Sequence, residues 1–129
     1  MIYTSYWSRS KEFEKYGVEP VAISRGKPKW FRGRSCDAIA PTWAMLKMSD
    51  EDYWEHYWKM LEVVDPHDFA RWLGDGDVAL LCWEKDINDC HRKAVGDWLR
   101  ANGVPCEEWE PPSKKRQVSA PQATQLALL

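Results

Sequence analysis

Glu84, Cys90, His91 and Arg92 stand on one short stretch of chain, and each side chain can do chemistry. A carboxylate and an imidazole together can handle protons: one activates water while the other protonates a leaving group, as hydrolysis or N-glycosidic cleavage requires. An arginine fork beside the free N–H groups of a helix's first turn can hold a phosphate. A cysteine at a helix start is placed where its thiolate is favoured. Phosphatase-type loops separate cysteine from arginine by a longer anion-cradling turn, whereas here only His91 intervenes. Phosphate binding, acid–base catalysis by Glu84 and His91, and thiol catalysis by Cys90 are therefore all open. So is a purely structural role, with Cys90 buried, His91 capping and Arg92 paired to Glu84 or Asp89.

A second constellation begins at Ser24. Arg25, Lys27 and Lys29 alternate with Gly26, Pro28 and Trp30, and Arg32 and Arg34 follow. Cations interleaved with rings suit a phosphorylated ligand carrying a planar group, because the charge meets the anion while a ring covers the plane. Tyr6, Trp7, Trp30 and Trp83 are the candidate covers. A solvated loop anchored by Trp30 and Phe31 is the plainer alternative.

The elements that must carry these residues can be read locally. Residues 78–83 are a continuous apolar run, which predicts a strand buried on both faces. The Gly-Asp-Gly-Asp before it turns the chain, and Asn88 or Asp89 can cap a helix over residues 90–102 that Gly103 ends. Residues 2–7 and 20–24 predict two more strands, and 104–109 a last one, which Pro105 confines to an edge or a strand start. Residues 8–16 predict a helical turn ended by Gly17. In residues 37–47, Pro41 allows a helix to begin. Ser49 and Asp52 open a clearer helix over 50–64, with Trp54, Trp58 and Leu61 at helical spacing and His56 towards solvent. Pro66 starts another, ending at Gly74. Strands alternating with helices predict an α/β fold, and ligands in such folds sit beyond the carboxyl ends of the strands.

A chain of 129 residues holds one domain with a real core. A formal charge of −2 removes any global electrostatic case for nucleic acid, though not for a local basic groove. Nine tryptophans make an aromatic pocket affordable beyond the needs of the core. Cys36, Cys82, Cys90 and Cys106 contain no C-x-x-C pair, so reduced thiols in a cytoplasmic protein are expected, and neither metal nor cofactor. No signal peptide or membrane-spanning stretch is visible. Residues 1–110 are expected to form the domain and 111–129 a polar tail, basic at Lys114–Lys115–Arg116.

At these residues the chain resembles a known family, the domain of unknown function 488. The carriers are LLCWEKDINDCHRKAVGDWL, with IYTSYW and VAISRGKP before it. The resemblance covers most of residues 1–109. It implies a three-layer Rossmann-like α/β domain with a mainly parallel sheet, and a site including Glu84, Cys90, His91 and Arg92. Arg25 matches the arginine after the family's second strand, and Ile23 stands where many relatives carry an acid. Relatives occur in bacteria and their viruses, which implies nucleotide, nucleic-acid or conflict-related roles. The leading expectation is a binder of a small phosphorylated, nucleotide-derived ligand, such as a signalling nucleotide sequestered in bacterial or viral conflict. Arg92 and Arg25 would take the anion, beside Ser24, and Tyr6, Trp7 or Trp30 would cover the base. The alternative is an enzyme acting on a nucleoside, nucleotide or nucleic-acid base through Glu84 and His91. A protein-interaction module using surface tryptophans is a third reading, and the aromatic helix over 50–64 is compatible with a homodimer.

Overall fold

A computed structural model describes residues 1–87 and 90–112. Four strands form one sheet: β1 (Ile2–Tyr6), β2 (Glu19–Ala22), β3 (Val78–Cys82) and β4 (Cys106–Glu108). The order is β2-β3-β1-β4, and every pairing is parallel. The edge positions of β2 and β4 explain how Pro20 is tolerated inside a strand and why Pro105 stands just before one. All five residues of β3 are buried, as the apolar run predicts.

Alternation along the strands splits the core in two. Val78 and Leu80 face a cluster with Val21, Ile2 and the helices α2 (Asp50–Glu62), α3 (Pro66–Leu73) and α4 (His91–Ala101). Ala79 and Leu81 face the other side, against Trp7, Phe13, Val18 and Trp109. That second layer is thin: a single turn of helix, α1 (Ser10–Phe13), between two 3-10 turns. The protein is thus a three-layer α/β domain of the Rossmann-like kind. No helix among the described residues is long and apolar enough to cross a membrane.

The local signals act largely where the sequence puts them. Ser49 caps α2 by accepting from the Asp52 N–H, and Asp65 caps α3 by accepting from His67 and Asp68. Gly17, Gly74 and Gly103 take positive φ at three turns, where a side chain would be strained. Three readings need correction. Residues 37–47 form no α-helix; Asp37–Ile39 and Met45–Lys47 are separate 3-10 turns, with Pro41 between them. The cap of α4 is Cys90, whose sulfur accepts from the Arg92 N–H, while Asn88 and Asp89 lie outside the described residues. Cys82 and Cys90 are joined as a disulfide, where reduced thiols were expected; Cys36 and Cys106 are free. Most of the expected tail, residues 113–129, also lies outside the described residues.

Candidate functional site

Beyond the carboxyl ends of β2 and β3 lies a cavity of about 440 Å³, within the roughly 300–1,000 Å³ common for small-molecule sites. Ser24, Arg25 and Gly26 enter it from the end of β2, Cys82, Trp83 and Glu84 from the end of β3, and Cys90 and His91 from the start of α4. Trp43, Tyr53 and Trp54 supply further aromatic wall, and Asp50 a second carboxylate. Trp43 is 61 % exposed and Trp83 54 %, which places both at the rim.

The loop that carries Arg25 is pinned from behind. The buried Trp7 donates its indole N–H to Ser24 Oγ at 3.0 Å, and Ser24 donates onward to the Gly26 carbonyl at 2.7 Å. Trp83 donates to that same carbonyl at 2.8 Å, tying the two strand ends together across the cavity mouth. Gly26 also lacks room for a side chain without disturbance, since a Cβ there would sit 3.2 Å from the Trp43 ring. Arg25 is held on the remaining side by carbonyls: Nε donates to Pro41 at 3.3 Å, and Nη2 to Ala40 at 2.9 Å and Asp37 at 3.3 Å. Its Nη1 makes no hydrogen bond among the described residues. A guanidinium fixed in this way has lost its rotamer freedom before any ligand arrives, which lowers the cost of binding one.

His91 is buried, and its Nε2 lies 2.7 Å from the Ile23 carbonyl. A carbonyl only accepts, so Nε2 carries the hydrogen and Nδ1 presents its lone pair. Burial pushes the imidazole pKa down to about 4; the Ile23 bond opposes this shift and the neighbouring Arg92 charge adds to it. The ring is therefore neutral at neutral pH, with Nδ1 facing the Cys90 sulfur at 3.7 Å. Glu84 is exposed, and its carboxylate has no partner among the described residues. Burial, with the Glu84 charge adding, pushes the Tyr53 hydroxyl up to about 12, so it stays protonated as a donor to the cavity.

Arg92 is elsewhere. It is 0 % exposed and does not line the cavity. Nε donates to both Glu108 oxygens at 3.0 and 3.2 Å, and Nη2 to Glu108 Oε2 at 2.9 Å and the Lys85 carbonyl at 2.8 Å. Nη1 donates to the Glu84 carbonyl and to Cys82 Sγ, the latter at 3.2 Å. With its donors engaged within the protein, this guanidinium is a strut that holds the loop after β3, and the anion contact expected of it is not available. Tyr6 is also outside the cavity, with the guanidinium carbons of Arg9 and Arg92 at 5.6 and 5.4 Å from its ring centre. Trp7 is buried behind the Ser24 loop, and Trp30, 60 % exposed, stands edge-on to it at 6.2 Å. Neither lines the cavity. The thiol-nucleophile reading fails for the disulfide-bonded protein, because Cys90 Sγ is bonded to Cys82.

The structure thus brings together Glu84, Cys90, His91, Ser24 and Arg25, and leaves out Arg92, Tyr6, Trp7 and Trp30. Trp43, Tyr53, Trp54 and Asp50 were not foreseen as site residues. The only advance signal for Tyr53 and Trp54 was their place in an aromatic-rich helix, a pattern that core packing explains equally well. The model for the family Domain of unknown function DUF488 matches residues 8–99. No curated protein and no solved structure matches the chain.

Proposed function

The chain belongs to that family, and from this premise we propose that it binds a small phosphorylated, nucleotide-derived ligand in the cavity beyond β2 and β3. Arg25 takes the anion, in place of the Arg92 contact suggested by the sequence. Trp43, Trp54 and Trp83 offer faces for the base. The observation that carries the reading is Arg25, which lines an aromatic-walled cavity with its guanidinium anchored on three carbonyls and its Nη1 without a hydrogen bond among the described residues. Glu84 and Asp50 on the same wall make a highly charged polyphosphate a poor fit. They favour a ligand of low negative charge whose base offers amino hydrogens to a carboxylate.

A thermal-shift and calorimetric screen against nucleoside monophosphates and cyclic nucleotides tests this. Loss of a charge-assisted contact costs about 1.5–3 kcal/mol, so Arg25→Ala is expected to weaken binding roughly 10- to 100-fold. Absence of binding by any nucleotide, or equal binding by Arg25→Ala, sinks the proposal.

A second reading, hydrolysis or N-glycosidic cleavage of such a ligand, rests on the exposed Glu84 and the neutral His91 lining the same cavity. Burial keeps His91 neutral, so in this reading its imidazole would not carry a proton to the leaving group. Mass spectrometry after long incubation separates the two: intact ligand means a binder, whereas a product that disappears in Glu84→Gln while binding persists means an enzyme.

A further inference from the structure

Cys82 Sγ, Cys90 Sγ and a ring nitrogen of His91 all lie within 4.8 Å of one another in the wall of the cavity, with His91 Nδ1 3.7 Å from Cys90 Sγ. They come from the last residue of a buried strand and from the cap and first residue of a helix, so their backbones are held by regular structure. We propose that these three atoms form a binding site for a borderline-soft divalent cation of the zinc class, filled when the Cys82–Cys90 disulfide is reduced.

Two thiolates and an imidazole are a characteristic donor set for this ion, and three protein ligands with one position left over describe the open form of such sites. All three residues line the cavity, so the fourth position faces it. The imidazole is already prepared: its Nε2–H is engaged by the Ile23 carbonyl at 2.7 Å, which leaves the Nδ1 lone pair on the side of the Cys90 sulfur. A metal-bound histidine is typically oriented by such an outer hydrogen bond. The sulfurs are prepared as well. Arg92 Nη1 points at Cys82 Sγ at 3.2 Å, and the Arg92 backbone N–H at Cys90 Sγ at 3.5 Å. N–H donors aimed at both sulfurs stabilise them as thiolates. The two Cα atoms are 7.1 Å apart, wider than the roughly 4.4–6.8 Å usual for a disulfide. That spacing leaves room for the sulfurs to separate around a shared ion. A dication on two thiolates and a neutral imidazole has no net charge, so burying it does not incur the penalty of an isolated ion.

The chemistry closes in two steps. A dithiol reductant passes two electrons and two protons to the protein disulfide, leaving two protein thiols and the reductant as its own disulfide. The thiols then release two protons as the cation binds, and His91 contributes a lone pair without losing a proton. A small-molecule disulfide reverses this by thiol–disulfide exchange: it accepts the two electrons and, with two protons from water, becomes two thiol groups, while the protein S–S bond re-forms and the cation is expelled. The site would therefore report the thiol status of its surroundings.

The test uses the full chain without any nucleotide, so its failure leaves the ligand reading untouched. Wild-type protein is reduced with a trialkylphosphine under anaerobic conditions; the phosphine takes the oxygen of one water and becomes its oxide. After gel filtration the protein is titrated with cobalt(II) and then zinc(II). The expected result is one equivalent of cobalt, with thiolate-to-cobalt charge-transfer absorption and the visible bands of a tetrahedral ion, displaced by zinc. Disulfide-bonded protein should show neither signal. Cys90→Ser should weaken zinc binding more than about 100-fold, beyond what loss of an outer partner costs, while Cys36→Ser should bind as wild type. Should the serine variant fail to fold, the comparison of reduced with oxidised wild type decides alone. The inference is overturned if reduced, folded protein takes up no metal, binds it without thiolate charge transfer, or binds equally when oxidised. It is also overturned if reduction unfolds the protein and zinc does not restore it.

Discussion

Replacing Glu108 with alanine isolates the role of Arg92. The mutation removes the carboxylate that accepts Arg92 Nε and Nη2 at 2.9–3.2 Å, and also the acceptor of the Thr4 hydroxyl at 2.7 Å. The guanidinium itself cannot reach water, since it is 0 % exposed. Breaking a fully buried pair in this way costs about 3–5 kcal/mol. The Glu108 side chain is 31 % exposed, so water can partly fill the vacated side, and we expect about 2–4 kcal/mol, allowing for that exposure. At roughly 4 °C per kcal/mol for a domain of this size, the Tm should fall by about 8–16 °C. Urea unfolding of Glu108→Ala, Arg92→Met and the double variant provides the measurement. The double variant should be more stable than the sum of the single effects by about 2 kcal/mol, because neither charge is then stranded. Glu108→Ala should still bind nucleotide at temperatures well below its own midpoint. A single-variant cost below about 1 kcal/mol, or strictly additive effects, would refute the strut. Loss of nucleotide binding in folded Glu108→Ala would return Arg92 to the ligand.

Two further outcomes follow from one buried and one half-buried tyrosine. Tyr57 is fully buried and donates to the Ile39 carbonyl at 2.7 Å, so Tyr57→Phe strands that carbonyl and should cost about 1–2 kcal/mol in urea unfolding. In an ultraviolet absorbance titration, Tyr53 should stay protonated until about pH 12, and Tyr57 should also ionise well above the ordinary range, both through burial. The unfolded chain loses these protons near pH 10. The folded state therefore holds more protons between that pH and its own raised values, and stability should fall as pH rises through the window. A folded protein whose five tyrosines all titrate near pH 10 would contradict the burial of Tyr57 and the partial burial of Tyr53.

What could be read from the chain divides along physical lines. Val78–Cys82 was legible because a strand covered on both faces needs no alternation, only an apolar run between turn residues. α3 was legible because Pro66 and Gly74 mark its ends by backbone geometry alone. The cavity rim over residues 37–47 was not. It follows no period, and Trp43 looks the same in sequence whether it packs in a core or stands at a pocket mouth. Cys90 was missed as the cap of α4 because serine, aspartate and asparagine dominate that position and two of them stood just before it. The pairing of Arg92 was invisible for a different reason. Glu108 meets Arg92 only because β4 lies beside β1, and strand order is a property of the whole sheet.

That strand order also accounts for the contrasting roles of neighbouring residues. His91 and Arg92 are consecutive on a helix, so their side chains diverge around its axis. His91 reaches to the end of β2, bonding Ile23, whereas Arg92 reaches to β4, bonding Glu108. β3 and β1 lie between those two edges, so the pair spans the sheet at its carboxyl end. Only the β2 side opens into the cavity, because the chain leaving β2 does not return directly through a helix but wanders through two 3-10 turns before α2. On the β4 side the last strand closes over the guanidinium. An arginine at a strand end is thus not sufficient evidence of an anion site. The hydrogen bonds of Arg25 go to carbonyls, which carry no formal charge, whereas Arg92 is paired with a carboxylate, and this contrast is why the proposed anion contact falls to Arg25.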